Sequence, residues 1–183
     1  LFGTISIVML LMTPLLTMRL LSEEWKSGAM ELLLTYPLRD VEVVLGKFLA
    51  CFAVFALMIL ATATFPLLLI ILGNPEIMPI LTGYLGLLLL GAAFISLGLF
   101  TSSLTENQVV AASVSLATLF CFWLMSYSMV FVTAGVGQIL GYLSITEHLE
   151  SLAKGVLDSA DLFYYIAFTL LFLFLTLRSL ESK

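Results

Sequence analysis

The chain has 183 residues, of which 62 % are apolar and 10 % charged. Soluble domains hold about 45–50 % and about 25 %, and a soluble fold of this size leaves too much surface wet to hide the excess. A formal net charge of −5 gives no basic footprint for nucleic acid.

A bilayer accepts such a composition, because a run of about 18 apolar residues crosses the hydrocarbon at about 1.5 Å per residue. Five runs qualify, so the chain reads as a single membrane domain over residues 1–183. The first covers about 1–18 and carries Pro14; the sequence opens inside it with no basic region ahead. That reads as a truncated span rather than a signal peptide. The second covers about 44–72 and carries Pro66, which membrane helices tolerate when neighbours re-satisfy the freed carbonyl. The third runs over about 79–100, with Pro79 in its first turn. The fourth covers about 109–132. The fifth, about 162–177, is short and is expected to lean on interfacial anchors. The fold class that follows is all-α: a polytopic membrane helical bundle.

Charge sets the orientation. The stretch after the first span holds Arg19, Lys26, Arg39 and Lys47, and the tail holds Arg178 and Lys183. The segment before the last span has Lys154 alone. Cytoplasmic placement of the first group counts four plus two inside against one outside, as the positive-inside rule requires. One further span before residue 1 would bring both termini to the cytoplasm. Trp25 and Tyr36 lie toward the cytoplasmic face, and Tyr84, Tyr127, Tyr142, Tyr164 and Tyr165 toward the opposite one, as interfacial belts do.

Residues 19–43 form the most informative segment. Leu21, Trp25, Leu32 and Leu33 keep helical spacing, with Glu24, Lys26 and Glu31 off that face. Ser27 is placed to cap a short helix over 29–35, and Pro37 stops it. Asp40 reads as the N-cap of the next helix, with Glu42 favourable in its first turn. Lys47 is placed to snorkel to the headgroups. Such a segment is either an interfacial anchor or a lever that a partner grips.

The run Thr17-x-Arg19-x-x-x-Glu23-Glu24-x-x-x-Gly28-x-x-Glu31-x-Leu33-Leu34-x-x-Pro37, followed by Gly46-Lys47, resembles the first cytoplasmic loop of ABC-2 type ABC transporter permeases, with Ala29 where Thr is common. His148-Leu149-Glu150 and Lys154-Gly155-Val156-Leu157-Asp158 before an aromatic last span are similar to the gliding-motility and nitrous-oxide-reductase-accessory branch. The resemblance spans essentially the whole chain. It implies six helices in full, the first of them missing here, and a bacterial inner-membrane location. It also implies a coupling helix shaped by Glu24, Gly28, Glu31, Leu33 and Pro37, docking an ATP-binding subunit that supplies ATP and magnesium. Gly46 and Lys47 would open the next span. A second permease, identical or homologous, would complete the exporter. Residues 133–161 would be an external segment with partly re-entrant helices.

The chain itself carries no expected cofactor, metal or catalytic residue. Gly46-Lys47 lacks the upstream glycine of a phosphate loop. Ser151-x-x-Lys154 lacks the partner motifs that would make it catalytic. His148, the one histidine, reads as a hydrogen-bonded helix-end residue rather than a metal ligand. Asp158 and Asp161 read as caps of the last span, and Cys51 and Cys121 as buried apolar thiols. No charge lies deep in a span, which weakens a stand-alone carrier, since ion pathways use such charges. A non-transporting anchor for a surface machine is the other alternative. Small residues in the third span (Gly86, Gly91, Ala92, Ala93, Ser96, Gly98) and the fourth (Ala111, Ala112, Ser115, Thr118) allow close packing. They fit either contacts within the chain or a path shared with a second permease. Gly137-x-x-x-Gly141 matches a dimerisation pattern but falls at a span's end. The transported substrate is not written in the sequence.

Overall fold

The computed structural model describes residues 2–29, 39–73, 76–128 and 143–181. It is helical throughout, with no strand among the described residues. In chain order the helices are α1 (Phe2–Thr17), α2 (Ser22–Ser27), α3 (Asp40–Thr62), α4 (Thr64–Leu72), α5 (Ile77–Leu104), α6 (Gln108–Ser128), α7 (Ile145–Ala153) and α8 (Ser159–Glu181). Five helical stretches among the described residues are long and apolar enough to cross a membrane. Their outward faces carry side chains that water would not tolerate in such number, among them Leu57, Leu60, Ile71 and Phe163, each more than half exposed.

α5 is the centre of the bundle. In its most apolar stretch 61 % of residues are buried, against 17 % for α3–α4 and for α6. Leu87, Leu90, Ala93, Ile95, Leu97 and Leu99 are fully enclosed, so this helix is apolar all round, as a helix surrounded by others must be. Glycines set how close its neighbours come. The Phe55 ring of α3 fills the place of a Cβ at Gly91, and the Thr17 side chain of α1 does the same at Gly98. Phe2 sits likewise over Gly83, and Leu149 and Leu152 of α7 rest on Gly86. Gly86, Gly91 and Gly98 of the third span therefore serve packing inside this chain.

The second span is not continuous. α3 ends at Thr62, Ala63 closes a tight turn with its N–H on the Leu60 carbonyl (3.0 Å), and α4 begins at Thr64. Pro66 explains the break. It has no N–H for the Thr62 carbonyl, and its ring crowds that turn. The Thr62 hydroxyl compensates locally, donating to the Ile59 carbonyl at 2.7 Å and lying 3.2 Å from the Tyr84 hydroxyl. The last span is longer than its apolar run, reaching from Ser159 to Glu181 and needing no anchors to extend it.

Two further expectations are corrected. Cys51 is buried, but Cys121 is exposed on the outside of α6. Tyr165 is fully buried rather than interfacial, its hydroxyl donating to the Ile145 carbonyl at 2.7 Å. Gly137, Gly141, Tyr36 and Tyr142 lie outside the described residues, as does the side chain of Tyr127.

Candidate functional site: the elbow between α1 and α3

α1 ends where its chain must turn. Thr13 and Thr17 fold their hydroxyls onto the carbonyls of Met9 (2.7 Å) and Thr13 (2.9 Å), so neither needs an outside partner in the apolar interior. Residues 18–21 then form a turn, and α2 follows it. The first N–H groups of a helix have no partner within it. Here Ser102, near the end of α5, provides one. Its Oγ accepts from the N–H of Leu21 (3.1 Å) and of Ser22 (3.0 Å) and donates to the Met18 carbonyl (3.1 Å). Ser102 and Leu21 are fully buried. One hydroxyl thus satisfies three backbone groups of the elbow.

Lys47 makes the second tie. Its ammonium donates to the Leu20 carbonyl and to Glu24 Oε1, both at 2.5 Å. It does not snorkel; it spans from the second turn of α3 to the elbow, because an ammonium near the membrane edge gains more from a carboxylate and a free carbonyl than from partial hydration. The Glu24 and Lys47 side chains are 26 % and 20 % exposed, so water screens the pair only partly. Glu24 Oε2 is buried without a hydrogen bond.

α2 ends at Gly28, whose φ of +72° is left-handed and whose N–H bonds the Trp25 carbonyl at 3.3 Å. A side chain there meets no neighbour but costs about 1–2 kcal/mol in backbone strain. The Ser27 hydroxyl donates to the Glu24 carbonyl at 3.3 Å, closing α2; most of the short helix expected over 29–35 lies outside the described residues. The α3 cap lies one residue earlier than the sequence implied. Arg39 is the N-cap, Asp40 is already helical, and the Glu42 carboxylate accepts the Arg39 N–H at 3.2 Å. Gly46 lies inside α3 with open space around it, so packing does not require glycine there.

Of the residues singled out from sequence, the structure joins Glu24 and Lys47 directly and sets Gly28 at the end of the same short helix. Glu31, Leu33 and Pro37 lie outside the described residues. Ser102 was missed. It sits in a Thr-Ser-Ser run at a helix end, and only the fold shows which hydroxyl turns inward.

The family model described as ABC-2 family transporter protein matches residues 3–180. The chain belongs to that family. It is therefore an integral multi-pass membrane protein and the membrane component of an ABC transporter. No curated protein and no solved structure matches it.

At the permease's other end, α7 lies on α5 and α8. Ile145, His148, Leu149 and Leu152 make its buried face at helical spacing. His148 Nδ1 is 2.6 Å from Asp161 Oδ1, the Ser151 hydroxyl donates to Asp161 Oδ2, and the imidazole stacks on Tyr164 with centroids 4.2 Å apart. Asp161 is not a cap but the buried acceptor that fastens α7 to α8. Asp158 does cap α8, its Oδ1 accepting the Ala160 N–H at 3.1 Å. Ser151 is engaged with that carboxylate, and Lys154 is exposed, 3.7 Å from Glu150, so the two make no catalytic pair. Among the described residues no group of three or more metal-ligating side chains could hold an ion.

Proposed function

We propose that this permease is the membrane half of an ABC-2 exporter in a bacterial inner membrane, driven by a separate ATP-binding subunit on the cytoplasmic side. In this reading the segment from α2 to Pro37 is the lever that the subunit grips. Two permeases, identical or homologous, pair to enclose the path. ATP and magnesium bind only in the partner.

The observation that carries the reading is the double fastening of the elbow. A push on α2 reaches α5 through Ser102 and α3 through Lys47, while α1 is continuous with it. An interfacial anchor has no need of such ties to three spans. The charges support the sidedness. Arg19, Lys26, Arg39, Lys47 and Arg178 fall at one end of the alternating spans and Lys154 at the other, as cytoplasmic placement of the elbow requires.

The test is co-purification in nanodiscs of the full-length protein with the ATP-binding subunit. Stable association, with ATPase activity lost in Glu31→Arg combined with Gly28→Trp while membrane insertion stays normal, is the expected result. No association, or unchanged activity in that variant, overturns the lever.

A further inference from the structure

Two neighbouring cavities lie along the seam between α1 and α6. The outer one, about 570 Å³, is bounded by the first turns of α1, by Trp123 of α6 and by the solvent-facing side of α7, including Thr146, Glu147 and Glu150. The inner one, about 220 Å³, is walled by Ile7, Leu10, Leu11, Leu116, Phe120 and Trp123, all apolar. Ile7 and Trp123 border both, so the two lie side by side in one groove-like seam, a polar, acidic mouth at the α7 end next to a hydrocarbon wall running toward the middle of the spans. Its flanks stay open: Ile7, Leu11 and Phe120 are 47 %, 49 % and 44 % exposed.

We infer that this groove binds an amphiphile with a hydrocarbon tail and a cationic head, carried as cargo. The order of polarity along the groove matches such a molecule lying in the outer half of the bilayer. A tail gains about 0.8 kcal/mol per methylene removed from water but gains little by leaving lipid. The head therefore has to supply discrimination, and Glu147 and Glu150 are the charges placed for it. Lys154, 3.7 Å from Glu150, offsets one of them and leaves a net negative mouth. An anionic head would meet repulsion there. The inference rests on the exporter reading in calling the occupant cargo and in placing it in the outer half of the bilayer.

The test is photolabelling of the assembled transporter in nanodiscs with a diazirine-bearing alkyl trimethylammonium, mapped by peptide mass spectrometry. Label is expected on the peptides holding Ile7–Leu11 and Leu116–Trp123. It should be competed by dodecyltrimethylammonium but not by dodecyl sulfate, and fall about fivefold in Glu147→Gln/Glu150→Gln, the loss expected for about 1 kcal/mol. Label spread equally over Leu57, Leu60 and Phe174, which face outward elsewhere, or indifferent to the double variant, overturns the site. Label unchanged by ATP turnover marks a resident lipid and overturns its assignment as cargo. The binding arms need no ATP, so their failure leaves the association with an ATPase untouched, and failure of that association leaves them readable.

Discussion

Lys47 of α3 holds Glu24 of α2 across the elbow, 2.5 Å from Nζ to Oε1, and the same ammonium serves the Leu20 carbonyl. Removing the lysine alone strands both acceptors in a partly buried place. Lys47→Met should therefore destabilise the permease by about 1–3 kcal/mol. Glu24→Gln combined with Lys47→Met should recover part of that loss, since the stranded charge is gone. Thermal unfolding in detergent of the wild type, both single variants and the double variant gives the coupling energy directly. A double variant that merely sums the singles would mean the pair contributes nothing.

Ser102 gives a sharper test of the elbow. Ser102→Ala leaves two buried N–H groups without their partner, while the Met18 carbonyl keeps the Ser22 hydroxyl, a cost of about 1–3 kcal/mol per orphaned group at most. The expected readout is faster amide exchange at Leu21 and Ser22, with exchange in α7 unchanged. Exchange that rises equally in both places would mean a general loosening of the bundle.

The glycines of α5 separate packing from propensity. Gly98→Ala drives a methyl into Thr17, a fully buried, β-branched neighbour, and should cost about 1–3 kcal/mol. Thr17→Ala should return part of it. Gly46→Ala, in open space within α3, should be neutral or stabilise by up to about 1 kcal/mol, because alanine is the better helix former. Melting temperatures of the four proteins test the contrast.

Asp161 accepts from two residues of α7 at once. Asp161→Ala should loosen α7 from α8 at a cost of about 3 kcal/mol, the scale for stripping one partner from a buried pair. Protease cutting or amide exchange within residues 145–153 should rise while the Lys47–Glu24 end stays protected.

Orientation has its own measurement. With Cys51→Ala and Cys121→Ser as background, a membrane-impermeant maleimide should label Lys26→Cys from the cytoplasmic side and Lys154→Cys from the opposite one. Lys26→Cys labelled from outside would remove any role for a cytosolic motor.

The five spanning helices were legible because apolar runs of sufficient length leave little choice in a bilayer. The break at Ala63 was half legible. Pro66 announced a disturbance, but its resolution by a turn and the Thr62 hydroxyl depends on Tyr84, a contact 22 residues away. Lys47 was noticed, and its partner was misjudged, since Glu24 lies 23 residues away and only the fold brings the two together. Ser102 lies 81 residues from Leu21 and looks like its serine and threonine neighbours. Asp161 resembled a cap because its proper partners sit on another helix. Local pattern reports local structure; ties between distant segments do not show in it.

The notches at Gly83, Gly91 and Gly98 are each occupied by a different side chain. Insertion or deletion of a single residue early in α5 would swing everything beyond it by about 100°. Gly91 and Gly98 would then turn away from Phe55 and Thr17 together, and bulkier residues would arrive in their places. Ser102 would rotate out from under the elbow in the same stroke. The reading frame of this helix is thus locked in length as well as in composition, whereas a codon gained or lost in the outer stretch of α4, where Leu67 to Leu72 are exposed, would leave these contacts in place.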